Sequence, residues 1–162
     1  MSDLRVGHGY DVHRLEAGDG VTLGGVHIAC DRRIVAHSDG DVLIHALCDA
    51  LLGAAGLGDI GRWFPDSDPK YRGADSRTLL REVVARLAAG GWSVGNADLT
   101  LVAEVPRVAA HVAAMRDRLA ADLQVSPGRV NVKATTGEGM GFIGRREGIA
   151  AHAVALIAQG AS

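Results

Sequence analysis

The sequence predicts an α+β fold, a mixed β-sheet packed against helices on one side, within one domain covering residues 1–162. Three observations lead there. Apolar patterns of period two and of period 3.6 both occur, and they do not alternate strictly as an all-parallel α/β sheet would require. A chain of 162 residues suits one core, and it carries no repeat, linker or low-complexity tail. Hydrophobic residues make up 48% but aromatic ones only 4%, so that core must be packed from Ala, Val, Leu and Ile.

Each element follows from local pattern. Residues 4–12 read as a strand. Val21-Thr22-Leu23 and Val26-His27-Ile28 flank Gly24-Gly25, a two-residue hairpin signal. Residues 41–52 form a helix with Val42, Leu43, Ala46, Leu47, Ala50 and Leu51 at helical spacing, capped by Ser38 or Asp39. Residues 53–71, rich in Gly, Asp and Pro, form a loop. Asp75 caps a second helix with a stripe of Leu79, Leu80, Val83, Val84 and Leu87, which Gly90-Gly91 ends. Residues 92–103 form a strand with Leu99 and Leu101 on one face. Pro106 suits the first turn of a third helix, carrying Val108, Val112, Met115, Leu119 and Leu123. Pro127-Gly128 turns the chain into the short strand Val130-Asn131-Val132, and the four glycines of residues 137–144 make a loop. Residues 149–158 are an apolar run open to strand or helix; bounding glycine and the Ile and Val content favour strand.

Composition narrows the function. A net charge of −2 gives no global basic field, so nucleic acid is not an expected partner. No stretch reaches the roughly 18 apolar residues of a membrane span, and Met1 to Val6 hold no apolar leader. Cys30 and Cys48 form no CxxC pair and read as small buried thiols. A cytoplasmic protein is expected.

Three segments carry chemistry. In a strand Asp11 and His13 share one face, which puts a carboxylate and an imidazole side by side. A catalytic zinc site needs three such ligands and an open position. His45, mid-helix with Asp41 and Asp49 one turn to either side, is open to two readings. It is a third ligand with its free ring N–H held by a carboxylate, or a half-buried helix histidine paired with a surface aspartate. Ala36-His37-Ser38-Asp39-Gly40-Asp41 lies at a helix N-terminus, where free N–H groups favour phosphate, although helix capping explains the same residues. Lys133-Ala134-Thr135-Thr136-Gly137-Glu138 supplies an ammonium, two hydroxyls and a carboxylate where a strand meets a loop, or else forms a solvated turn.

Four ordered segments together resemble a known family. They are His8-Gly9-Tyr10-Asp11-Val12-His13; Ala36-His37-Ser38-Asp39-Gly40-Asp41 with His45; Leu57-Gly58-Asp59-Ile60-Gly61 with Phe64-Pro65-Asp66-Ser67-Asp68-Pro69; and Asn131-Val132-Lys133-Ala134-Thr135-Thr136 with Gly144-Arg145-Arg146-Glu147-Gly148. From about Arg5 onward the chain is similar to the 2-C-methyl-D-erythritol 2,4-cyclodiphosphate synthase family. The resemblance implies a lyase of the non-mevalonate isoprenoid (terpenoid) pathway. It would cyclise 4-diphosphocytidyl-2-C-methyl-D-erythritol 2-phosphate and release CMP, as a homotrimer with active sites between subunits.

Carried over by position, the resemblance makes Asp11, His13 and His45 ligands of one Zn²⁺ per subunit. Glu138 becomes the ligand of a second divalent ion, Mg²⁺ or Mn²⁺, that comes with the substrate. His37 and Thr136 become the transition-state stabilisers, and Lys133 a phosphate contact. Around them the same resemblance implies substrate contacts from Val12 and Ser38, from Asp59, Ile60 and Gly61, and from a mobile loop of Phe64, Pro65, Asp66, Ser67 and Asp68. The nucleotide segment is Ala103, Glu104, Val105, Pro106, Arg107, Val108 and Ala109, whose backbone would read cytosine. Thr135 and Gly137 flank the phosphate contacts, and Phe142, Arg145 and Glu147 match positions at the trimer axis. Gly137 and Gly139 stand where the family often has bulkier residues, which implies a looser loop around Glu138.

Overall fold

The computed structural model describes residues 3–160, so Met1 and Ser2 of the opening segment lie outside the described residues. From Val6 to Glu16 its first strand, β1 (Asp3–Ala17), alternates between two environments. Gly7, Gly9, Asp11, His13 and Leu15 face a helix, α1 (Val42–Ala54), while Val6, Tyr10 and Val12 stand exposed on the other side. The glycines matter for position. A Cβ at Gly7 would lie 1.8 Å from the Ala50 carbonyl oxygen, and one at Gly9 1.8 Å from that of Ala46. Only bare backbone lets α1 come down on β1, and that approach brings His45 over Asp11 and His13.

A tight hairpin follows, β2 (Val21–Leu23) and β3 (Val26–Ile28), turned by Gly24 and Gly25 at φ of +57° and +74°. Strand β4 (Arg32–Val35) pairs antiparallel with the far end of β1, from Arg14↔Val35 to Ala17↔Arg32. That pairing carries β1 five residues past its expected end.

After α1 come the short α2 (Ile60–Trp63) and α3 (Ser76–Ala89), then β5 (Trp92–Val102), α4 (Val112–Leu123), β6 (Val130–Thr135), the single turn α5 (Gly141–Gly144) and β7 (Gly148–Gln159). Residues 149–158 are thus strand, paired on both edges. The main sheet runs β4-β1-β7-β5-β6. Only β5 and β6 are parallel; the other neighbours are antiparallel, so the sheet is mixed as expected.

The core lies between this sheet and the helices. Leu43, Leu47 and Leu51 of α1 and Leu80 of α3 are fully buried, as are Leu99 and Leu101 of β5. Each such side chain contributes about 1.5–3 kcal/mol relative to exposure. Asp122 of α4, itself buried, accepts from Arg77 at 2.7 and 3.0 Å and from Arg81 at 3.2 Å, which ties α4 to α3. Among the described residues no helix covers the opposite face of the sheet, and Val6, Tyr10, Val12 and Val154 remain 42–67% exposed there.

Several local expectations change. Asp41, not Ser38 or Asp39, caps α1: it accepts from Ile44 N–H, and also from Gly24 and Gly25 N–H of the hairpin. Ser38 and Asp39 are used elsewhere, as described below. The expected loop 53–71 contains α2 and a 3₁₀ turn at Pro69–Tyr71, because Asp59 and Asp68 each cap a turn. Residues 137–144 contain α5. Pro106 lies ahead of the third helix rather than in its first turn; a 3₁₀ turn at Ala109–His111 leads into α4. Cys48 is buried, but Cys30 is only partly so.

Candidate active site

Three donors converge where α1 crosses β1. Asp11 Oδ2 lies 2.9 Å from His13 Nε2 and 3.1 Å from His45 Nδ1, and the two ring nitrogens are 3.2 Å apart. Zinc bonds of about 2.0–2.1 Å to nitrogen and oxygen imply tetrahedral edges of about 3.3 Å, close to this triangle. Among the described residues this is the one group of three or more His, Cys, Asp or Glu side chains so arranged. Two imidazoles and one carboxylate suit zinc or another borderline transition ion better than Mg²⁺, which prefers oxygen. Three protein ligands leave a fourth position open.

Electrostatics agree with the geometry. Burial alone would raise the Asp11 pKa, but hydrogen bonds and positive charge from His13 and His45 lower it to about 2. At His45, burial pulls the pKa down, yet the Asp11 hydrogen bond and the charges of Asp11, Asp41 and Asp39 raise it overall. Both shifts favour a charged pair of Asp11 and His45, and metal binding at these residues would release any proton they hold.

The partner of the other His45 nitrogen is neither expected aspartate. Asp41 is occupied by the hairpin and the helix cap, and Asp49 accepts from Ile60 N–H at 2.7 Å. Instead His45 Nε2 meets Ser76 Oγ at 2.9 Å and Ser38 Oγ at 3.3 Å. Ser76 Oγ donates to Asp39, whose second oxygen accepts from Ser76 N–H at 3.1 Å. Because that hydroxyl proton is committed to a carboxylate, Ser76 Oγ accepts from Nε2–H and leaves Nδ1 to face Asp11 and His13. Ser76 is fully buried at the start of α3. Sequence reading missed it because no local pattern links it to His45, 31 residues away.

The remaining candidate residues fall into separate groups. A cavity of about 300 Å³ joins Asp11, His13 and His45 to His37, Ser38, Ile60, Gly61, Phe64 and Asp66. Asp59 caps α2, Asp68 caps the next turn, and Pro65 and Ser67 lie between them. A second cavity, about 660 Å³, is lined by Ala103 through Ala109 together with Thr135 and Thr136. Beside it Lys133 is paired with Asp98, and Glu138 is exposed. Val12 and Phe142 border a third cavity with Glu147, which pairs with Arg145. The first two groups do not meet within one chain. Asp11 registers with Ala151, Ala151 with Leu101, and Leu101 with Ala134, so three strand spacings, about 14 Å, separate β1 from β6.

Comparison with known proteins decides the family. The YgbB family model matches residues 4–158. The chain belongs to the YgbB family. A 2-C-methyl-D-erythritol 2,4-cyclodiphosphate synthase of Methylococcus capsulatus is 64% identical over 156 residues, 96% of this chain and 99% of the other. A bifunctional IspDF from Campylobacter jejuni superposes with a TM-score of 0.94 at 40% identity, over 99% of this chain and 43% of that longer one. IspF of Plasmodium falciparum, solved as a CDP complex, gives 0.86 at 30% identity, over 98% and 97% of the two chains.

Proposed function

We propose that this YgbB-family chain is a metal-dependent cyclodiphosphate synthase. It converts 4-diphosphocytidyl-2-C-methyl-D-erythritol 2-phosphate to 2-C-methyl-D-erythritol 2,4-cyclodiphosphate with release of CMP. The observation that carries this reading is the Asp11–His13–His45 triangle, opening into a cavity, in a chain 64% identical to a synthase so named. When bound, zinc at the triangle and Mg²⁺ or Mn²⁺ at Glu138 supply Lewis acidity and neutralise diphosphate charge.

The chain's own groups do the rest. No protein nucleophile is needed, because the attacking 2-phosphate belongs to the substrate, and holding both reacting groups in one molecule removes much of the entropic barrier. His37 and Thr136 donate to phosphate oxygens as charge grows on them. Lys133 adds a contact to the phosphates. The backbone of residues 103–109 carries the cytosine, and residues 59–61 and 64–68 close over the erythritol side.

The two separated cavities support a homotrimer in which one subunit's metal cavity faces a neighbour's nucleotide segment. The open sheet face with Val6, Tyr10, Val12 and Val154 supplies an apolar surface for such assembly. Among the described residues no helix is long and apolar enough to cross a membrane, which fits the cytoplasmic setting we assign.

The test is incubation of purified protein with the CDP-linked substrate, following CMP, inorganic phosphate and bound zinc together. Cyclisation gives CMP without phosphate; a zinc phosphohydrolase would release phosphate. Light scattering of the same sample should give the mass of three chains, and a monomeric mass with full activity would remove the intersubunit site.

A further inference from the structure

Residues 136–139 leave β6 in a conformation that exposes three consecutive amide N–H groups. Glu138 and Gly139 both have positive φ, +53° and +74°. A non-glycine residue rarely holds that conformation without outside support. The support is visible. Gly137 N–H donates to Glu104 Oε1 at 2.9 Å, Gly139 N–H to the same oxygen at 3.3 Å, and Glu138 N–H to Thr136 Oγ1 at 3.2 Å. Such a concave run of amides is an anion site, and here the anion is the chain's own carboxylate. Gly144 also packs so tightly on Gly139 that a Cβ at Gly144 would lie 2.0 Å from the Gly139 carbonyl carbon. The loop around Glu138 is thus held by Glu104 and packed closely against Gly144.

Glu104 belongs to the segment 103–109, and Ala103 N–H also donates to Thr135 C=O at 2.9 Å. Its side chain is therefore turned toward the loop, while its backbone stays with the nucleotide segment. We propose that Glu104 is a positioning residue: its carboxylate sets the loop that presents Thr136 and Glu138, and so governs divalent-ion binding without reading the nucleotide. The ion-binding half of this inference rests on the cyclase reading; the clamp itself does not.

Hydrogen exchange on the unliganded protein tests the clamp. The amides of Gly137 and Gly139 should be protected in the native chain, and Glu104→Ala should lower that protection roughly ten- to hundredfold, as for loss of a charge-assisted hydrogen bond. Glu104→Gln keeps an acceptor oxygen and should retain intermediate protection. Mn²⁺ binding in the presence of CDP, read from the free-ion paramagnetic resonance signal, should weaken at least fivefold in Glu104→Ala, while the Kd for CMP stays within twofold. Unprotected amides in the native chain, or Glu104→Gln matching Glu104→Ala, overturn the clamp. Lost protection with unchanged Mn²⁺ binding overturns the positioning role and leaves the cyclase reading intact. A parallel loss of CMP affinity makes Glu104 a docking residue instead. Absence of cyclase activity in the native protein, with the clamp measured, refutes only the functional reading.

Discussion

Two histidine pairs lie on opposite faces of β1, one reaching across to α1 and the other to β7, with similar separations and different surroundings. On the helix side His13 Nε2 and His45 Nδ1 are 3.2 Å apart; on the open side His8 Nε2 and His152 Nδ1 are 3.1 Å apart. Ring centroids are separated by 5.4 Å in both. The inner pair has Asp11 within 3.1 Å of both rings, sits largely out of water, and has its far nitrogen anchored by Ser76 and Asp39. The outer pair is exposed, with the Tyr10 ring beside His152 rather than a carboxylate. Two nearby nitrogens do not make a metal site. A negative ligand, a fixed tautomer and a shielded setting do.

The largest effect should come from removing the charge that separates the pairs. Asp11→Asn should weaken zinc binding by more than about a hundredfold, since changes one shell further out already cost 10–100-fold. Competition with a chromogenic chelator measures it, and an affinity within tenfold of native would break the comparison. Next is the anchor. Ser76→Ala leaves all three ligands in place but frees His45 Nε2, so zinc affinity should fall roughly 10–100-fold. An unchanged affinity would mean that packing alone orients the ring.

That second residue also marks where sequence reading stops. Asp11 and His13 were legible because strand period puts i and i+2 on one face, and the Gly24-Gly25 hairpin because a two-residue turn with positive φ selects glycine. The Leu43, Leu47 and Leu51 stripe of α1 followed from helical period. Ser76 on His45, Asp39 under Ser76, Asp41 across to Gly24 and Gly25, and Glu104 on the Gly137–Gly139 amides all join residues 16–37 apart through side chains. No periodicity reports such contacts. Local spacing instead pointed to Asp41 and Asp49 as partners of His45 and to Ser38 or Asp39 as the cap of α1, because helical neighbours are all that spacing can see.

Asp41 sharpens the comparison through pH. It is fully buried behind the inner pair, and burial raises its pKa from 3.8 to about 6, against the lowering by Gly25, Ile44 and Gly24 N–H and with a smaller push from Asp39. A raised carboxyl pKa means the folded state holds its proton longer than the unfolded one. Its contribution to stability is therefore greatest below about pH 4, declines as pH rises to about 6, and is constant above. Urea unfolding in chelator should show the native chain losing stability relative to Asp41→Asn between pH 4 and 7, by at most about 3 kcal/mol. The opposite slope would mean that the three amide donors outweigh burial.

The smallest effect belongs to the outer pair. His8→Ala removes one of two nitrogens at the same spacing as the inner site, yet zinc affinity and the number of ions bound per chain should stay within twofold and at one. The reason is competition. Exposed imidazoles with no carboxylate beside them must trade water for metal without the charge that offsets the ion's own desolvation. Zinc titration with a calorimetric readout tests this directly. A second equivalent of zinc in the native chain, lost in His8→Ala while the Asp11 site stays filled, would show that spacing alone suffices and that the distinction between the two pairs is false.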